Sequence, residues 1–140
     1  MEKRPIAAQA RSEIYKDYPE RQLTERIIGA AIEVHKVLGP GLMESAYQTC
    51  MMRELTIQGI QFETERQVPL EYKGVQLGIS YRLDLVVEKK VIVELKSVEK
   101  LEAIHESQLL TYLRITGIKV GLLINFNVPA LKYGIKRLIL

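Results

Sequence analysis

Asp84, Glu94 and Lys96 are the residues of this chain whose types and spacing best lend themselves to chemistry, two hard carboxylate donors and an amine within thirteen residues. They sit in Leu-Asp-Leu-Val-Val-Glu-Lys-Lys-Val-Ile-Val-Glu-Leu-Lys (83 to 96), which reads as a β-hairpin with β-branched arms and a charged turn. Strand side chains alternate between faces, so Glu94 and Lys96 share one face and Leu95 points from the other. If Glu88, Lys89 and Lys90 form a three-residue loop, Val87 faces Val91, and counting outward sets Asp84 opposite Glu94 with Cβ atoms roughly 5 Å apart. A two-residue loop would instead separate the two acids onto opposite faces. Opposed like charges destabilise a sheet, so the close arrangement calls for a compensating cation, either Lys96 or a bound metal.

The same register puts Val86 and Ile92 on the acid-bearing face, and Leu83, Leu85, Val87, Val91, Val93 and Leu95 on the other. Strands apolar on both faces are interior strands, which would leave the acids at the rim of a buried sheet. The competing reading is an exposed hairpin with a solvated face of acids and lysine, because short charge clusters are common on surfaces.

The elements that must position these groups can be taken in order. Residues 1 to 22 contain Pro5 and Pro19 and have weak periodicity, which suggests an arm outside the domain formed by residues 23 to 140. The spacing of Ile27, Ala31, Val34 and Leu38 predicts a helix from Thr24 to Leu38, with Thr24 as its cap, Leu23 and Ile28 as a hydrophobic staple, and Gly39-Pro40-Gly41 as its stop. His35, beside that stripe, reads as a helix residue and not as a ligand.

A second helix is expected from Met43 to Gln58, with Met43, Ala46, Tyr47, Cys50, Met51 and Leu55 facing inward. Glu44 in its first turn either complements the helix dipole or reaches the acidic site as a further metal ligand. Short extended runs follow at Gln61 to Val68, Leu70 to Tyr72 and Val75 to Tyr81, with Pro69 forcing an edge or a bulge. Val75, Leu77, Ile79 and Tyr81 alternate with polar residues as in a half-buried strand. A third helix is expected from Glu102 to Thr116, with Ile104, Leu109, Leu110, Leu113 and Ile115 apolar, and His105, Gln108 and Tyr112 aligned on one face. Val120 to Phe126 reads as a buried strand, and Gly134 to Leu140 as a last strand or short helix.

Composition sets outer limits. A chain of 140 residues with 47% hydrophobic and 26% charged residues can bury a single core. With no apolar run of membrane-spanning length and no secretory signal, a cytoplasmic protein is expected. The single Cys50 forms no intrachain disulfide, and no Cys/His spacing suggests zinc. The net charge of +3 is compatible with a polyanionic partner without requiring one.

Four stretches taken together resemble the GxxExxY family, which is placed in the PD-(D/E)XK nuclease-like superfamily. They are Gly41-Leu42-Met43-Glu44-Ser45-Ala46-Tyr47, Tyr-Arg-Leu-Asp (81 to 84), Val-Glu-Leu-Lys (93 to 96) and Ile-His-Glu-Ser-Gln-Leu-Leu-Thr-Tyr (104 to 112). The resemblance spans residues 23 to 140 and implies an α/β restriction-endonuclease-like core, a mixed central sheet flanked by helices. It implies Mg²⁺ or Mn²⁺ held by Asp84 and Glu94, with Glu44 and the Leu95 carbonyl completing the set, and Lys96 positioning or activating water. Gln108 and Tyr112 match a Q-x-x-x-Y element of the RecB-like branch, which with His105 and Arg82 would contact substrate. Leu83 stands where the superfamily's name has proline.

Three functions stay open at this level. One is metal-dependent phosphodiester hydrolysis of nucleic acid, with DNA ahead of RNA and a homodimer as one way for so small a core to grip its substrate. The second is a nucleic-acid-binding module that keeps the fold without turnover. The third is an interaction protein in which Lys96 simply pairs with Glu94.

Overall fold

The computed structural model describes residues 17–140. Helix α1 (Arg21–Leu38) buries Ile27, Ala30, Ala31 and Val34 along one stripe and ends where the Gly39 N–H, at φ 70°, bonds the His35 carbonyl at 2.8 Å. It begins before Thr24, which is therefore not its cap. Glu20 is the N-cap residue, in the left-handed region and without a side-chain cap bond, while the Thr24 hydroxyl bonds back to the Arg21 carbonyl at 2.9 Å. The staple between Leu23 and Ile28 falls with that cap. Of the arm expected over residues 1 to 22, the first sixteen lie outside the described residues, and Arg21 and Gln22 belong to α1.

Helix α2 (Glu44–Ile57) follows, then strands β1 (Phe62–Tyr72), β2 (Val75–Val87) and β3 (Val91–Lys96), helix α3 (Ala103–Thr116), strand β4 (Val120–Asn125), a 3-10 turn at Leu131–Gly134 and strand β5 (Ile135–Ile139). The strands form one sheet in the order β1-β2-β3-β4-β5. All pairs are antiparallel except β3 and β4, which run parallel because α3 carries the chain across between them. The fold is thus α/β, a mixed sheet with helices on both faces, as the sequence predicted.

Two apolar layers enclose the central strands. Leu85, Val87, Val91, Val93 and Leu95 pack with α1 and α2, while Val86, Ile92, Leu109, Leu113 and Leu123 pack on the α3 side. The hairpin turn is the three-residue one, since Val87 pairs with Val91 and Val86 with Ile92. Burial on both faces excludes the solvated-hairpin reading for β3, in which all residues from Val91 to Leu95 are buried.

Leu83 is the exception to the expected alternation. It belongs to the α3 layer with Val86, not to the layer that holds Leu85. Glu65, opposite this point on β1, has φ 51°, and the β1–β2 pairing is interrupted between Thr64↔Leu85 and Arg66↔Leu83. A local irregularity therefore sits at Asp84 and turns the strand by one face.

Several expected core contacts do not form, among them that of Ile115, which is exposed in the last turn of α3. Met43 is the N-cap residue of α2 and lies exposed, and Ile104 is exposed in the first turn of α3. Val75, Leu77, Ile79 and Tyr81 are exposed too, because β2 pairs with β3 only from Leu85 to Val87. Their stretch of β2 pairs with β1 alone, and of the four only Tyr81, its ring 6.0 Å from that of Tyr112, has an α3 ring beside it. Pro69 sits beside a register shift, consistent with its expected bulge on the edge strand.

Candidate active site

The site lies at the C-terminal end of β3, where the β2–β3 ladder gives way to side chains. The Leu95 N–H donates to Asp84 Oδ2 at 2.9 Å, and the Asp84 N–H donates to Glu94 Oε1 at 3.3 Å. Each carboxylate thus replaces a missing ladder bond on the strand that bears the other, which holds the two acids together despite their like charge.

Glu94 is only 7% exposed. Burial first, and then the charge of Asp84, push its carboxyl up to about 8, against the opposing pull of the Asp84 N–H and Lys96. Near neutral pH and without a cation, the pair therefore retains a proton. Lys96 makes none of the ion pairs found among the described residues, so the simple Glu94–Lys96 pairing is not present.

Asp84 faces an open pocket of about 440 Å³ shared with Glu44, Gln48, Glu65, Arg82 and Leu95. Gln48 Nε2 donates to the Asp84 carbonyl at 3.3 Å, tying α2 to β2. Arg82 is paired to Glu65 at 3.7 Å across the two exposed strands. Glu44 enters the pocket from the first turn of α2, and its carboxylate accepts the Ser97 N–H at 3.4 Å. No three Asp, Glu, His or Cys side chains among the described residues are gathered as a ready ion cage. The donors present nevertheless suit a hard divalent cation: Asp84 and Glu94 are oxygen ligands whose mutual repulsion such an ion would relieve, with Glu44 across the pocket.

The loop that delivers Glu44 is built by Tyr47. Fully buried, Tyr47 stacks on Phe126 with ring centroids 4.4 Å apart, donates its hydroxyl proton to the Gly39 carbonyl at 2.6 Å and accepts the Leu42 N–H at 3.1 Å. Gly41 within that loop has φ 97°, a conformation that glycine adopts without strain. The Gly, Glu and Tyr of the 41–47 stretch are thus one device: a turn, the carboxylate it presents, and the buried hydroxyl that fixes the turn.

On the α3 side, Tyr112 is buried and its phenol pKa is raised, first by burial and then by the negative potential of Glu94, Tyr81 and Asp84. It is the helix residue that meets the acidic pair. Gln108 is exposed one turn earlier. His105 acts locally, its Nδ1 accepting the Glu102 N–H at 2.9 Å in a capping box at the start of α3.

Sequence reasoning missed several supporting residues. Asn125, 2% exposed, accepts the Val98 N–H at 3.1 Å and donates to the Val98 carbonyl at 2.9 Å, anchoring the segment after Lys96. Ser97 bonds the Leu42 carbonyl through its hydroxyl, joining that segment to the Tyr47 loop. An Asn at the end of an otherwise apolar strand was the only available signal. Gln48 and Glu65 carried none.

No curated protein and no solved structure matches the chain. The family model described as PD-(D/E)XK nuclease superfamily matches residues 21–138, from the first residue of α1 to within β5. With the mixed five-stranded sheet, Asp84 on its second strand and Glu94 and Lys96 at the end of its third, that match shows that the chain belongs to the PD-(D/E)XK nuclease superfamily.

Proposed function

We propose that the protein is a small GxxExxY-type nuclease that hydrolyses phosphodiester bonds of nucleic acid with a divalent cation, Mg²⁺ or Mn²⁺. The observation that carries this reading is the mutual bonding of Asp84 and Glu94 at a sheet rim, with Glu94 kept partly protonated and Lys96 two residues beyond. Such a pair is an energetic liability without a ligand and an oxygen-rich seat with one. Asp84 and Glu94, with Glu44 and the Leu95 carbonyl beside them, would hold the cation, which would supply charge neutralisation at the phosphate and a more acidic water.

The chain's own groups do the rest. Lys96 offsets charge at the reacting phosphate and orients the attacking water. Tyr112 holds its hydroxyl proton beside the acids, while Gln108 and Arg82 flank the approach from α3 and from β2. His105, engaged in capping, contributes by fixing the start of α3.

Cleavage of labelled single-stranded DNA, duplex DNA and RNA with Mg²⁺ or Mn²⁺, beside an Asp84→Ala/Glu94→Ala double variant, tests the proposal. Metal-dependent cleavage by the native protein alone supports it and identifies the polymer. A second reading, a nucleic-acid-binding module without turnover, is favoured by the engagement of Glu44 with Ser97. Binding without cleavage under every metal condition would select that reading.

A further inference from the structure

The exposed part of the β1–β2 hairpin extends beyond the end of β3 at which the acids sit. From Val75 to Tyr81, β2 has only β1 beside it, and Tyr72, Val75, Leu77, Ile79 and Tyr81 are between 41 and 60% exposed. Val68 pairs with Tyr81, which puts Tyr81 on the face that carries α3, continuous with buried Val68 and Leu83; further out the register shifts between Pro69 and Glu71, with Gly78 at φ 70°, before Tyr72 pairs with Val75. This apolar track runs directly into the site. The Tyr81 ring lies 6.0 Å from that of Tyr112, tilted by 46°, and Tyr81 is three residues before Asp84.

Charge indicates what the track accommodates. Across β1, β2 and their turn the acids Glu63, Glu65, Glu71 and Asp84 outnumber the bases Arg66, Lys73 and Arg82. Arg66 is within ion-pair distance of Glu63 and Arg82 of Glu65, while the Lys73 ammonium lies over the Tyr72 ring. Duplex binding is dominated by free cations meeting phosphates, and this arm offers few of them. Unpaired bases present apolar π-faces, which an exposed tyrosine on an apolar strand can accept.

We propose that Tyr81 is a substrate-binding residue that stacks an unpaired base beside the acidic pair, making single-stranded nucleic acid the substrate class of this site. The proposal deepens the nuclease reading and rests on its assignment of a nucleic-acid ligand. Tyr72, four β1 residues beyond the Val68 that pairs with Tyr81 and so about 13 Å further along the arm, extends the platform for longer strands.

The test is anisotropy of labelled 20-nucleotide oligothymidylate and of a duplex of equal length on the full chain, in EDTA so that neither is cut. Tyr81→Ala weakens single-strand binding by about 5- to 100-fold, the range expected for loss of one stacked base, and changes duplex binding less than about 2-fold. Tyr81→Phe keeps the ring and the affinity. Tyr72→Ala weakens binding of the 20-mer but not of a dinucleotide, and Tyr133→Ala, which removes an exposed tyrosine from the 3-10 turn, is neutral. Equal losses on duplex and single strand, or no loss from Tyr81→Ala, would overturn the proposal. So would a change from dimer to monomer in sedimentation with strand binding intact, which would assign the track to a second copy. Metal-dependent hydrolysis of bis(p-nitrophenyl) phosphate separates the two ideas, since it needs the acids but no stacking. Its absence from the native protein alongside Tyr81-dependent strand binding would sink the nuclease reading and leave the role of Tyr81 standing.

Discussion

Asp84 and Glu94 are held together by each other's strand: the Asp84 carboxylate takes the N–H of the residue after Glu94, and Glu94 takes the N–H of Asp84 itself. This exchange completes the end of the ladder at the expense of putting a second carboxylate into a buried place. The result is a sheet rim whose stability depends on protons and on cations.

The pH dependence has a definite sign. An unfolded glutamate titrates near roughly 4.3, whereas Glu94 in the fold titrates at about 8. The folded state holds the proton more tightly, so stability from this group is full below about pH 4.3 and is lost as pH rises to about 8. Metal-free protein is therefore expected to show a falling Tm between pH 5 and 8 from this group. Glu94→Gln should remove that slope and stabilise the metal-free fold at pH 8 by on the order of a few kcal/mol. Thermal denaturation in chelator across this range is the check, and an unchanged slope in the variant would refute the assignment.

Added Mg²⁺ should reverse the trend. Because the ion and the proton compete for the same oxygens, its stabilising effect grows with pH and is larger at pH 8.5 than at pH 6. Thermal shifts on titration with Mg²⁺ measure this, and the Asp84→Ala/Glu94→Ala protein should show none.

Lys96→Met should leave the fold within about 1 kcal/mol of native stability, since Lys96 is part-exposed and forms no ion pair among the described residues. Metal-dependent cleavage should fall by about 100-fold or more. Full activity in a correctly folded Lys96→Met protein would remove Lys96 from the mechanism.

Tyr47→Phe keeps the stack on Phe126 but deprives the Gly39 carbonyl and the Leu42 N–H of their partner. A cost of about 1–3 kcal/mol is expected by chemical denaturation. Because the loop it fixes presents Glu44, any cleavage activity should fall further than in a distant variant of equal stability.

Asn125→Leu replaces the clamp on Val98 by an apolar side chain of similar size. With the N–H and carbonyl of Val98 left without that partner, a loss of about 1–3 kcal/mol is expected. Faster amide exchange should be confined at first to the segment following Lys96.

Much of this was written in local sequence. Alternation of β-branched residues fixed the hairpin from Leu83 to Lys96, and its charged turn set the register that opposes Asp84 to Glu94, because side-chain period and loop length are local quantities. The 41–47 and 104–112 stretches supplied the resemblance on which Glu44, Gln108 and Tyr112 were selected. Tertiary structure decided what depends on neighbours distant in sequence. Val75 to Tyr81 has the alternation of a half-buried strand, yet it is exposed because β3 stops too soon to cover it. Thr24 resembles a cap but lies inside a helix that starts at Arg21. Leu83 changes face through an irregularity at Asp84 and Glu65, a backbone departure within the ladder that the alternation of side chains does not announce. The proton on Glu94 belongs to the same class of fact. Its carboxyl is displaced by burial between sheet and α3 and by a charge ten residues away, and only packing brings those together.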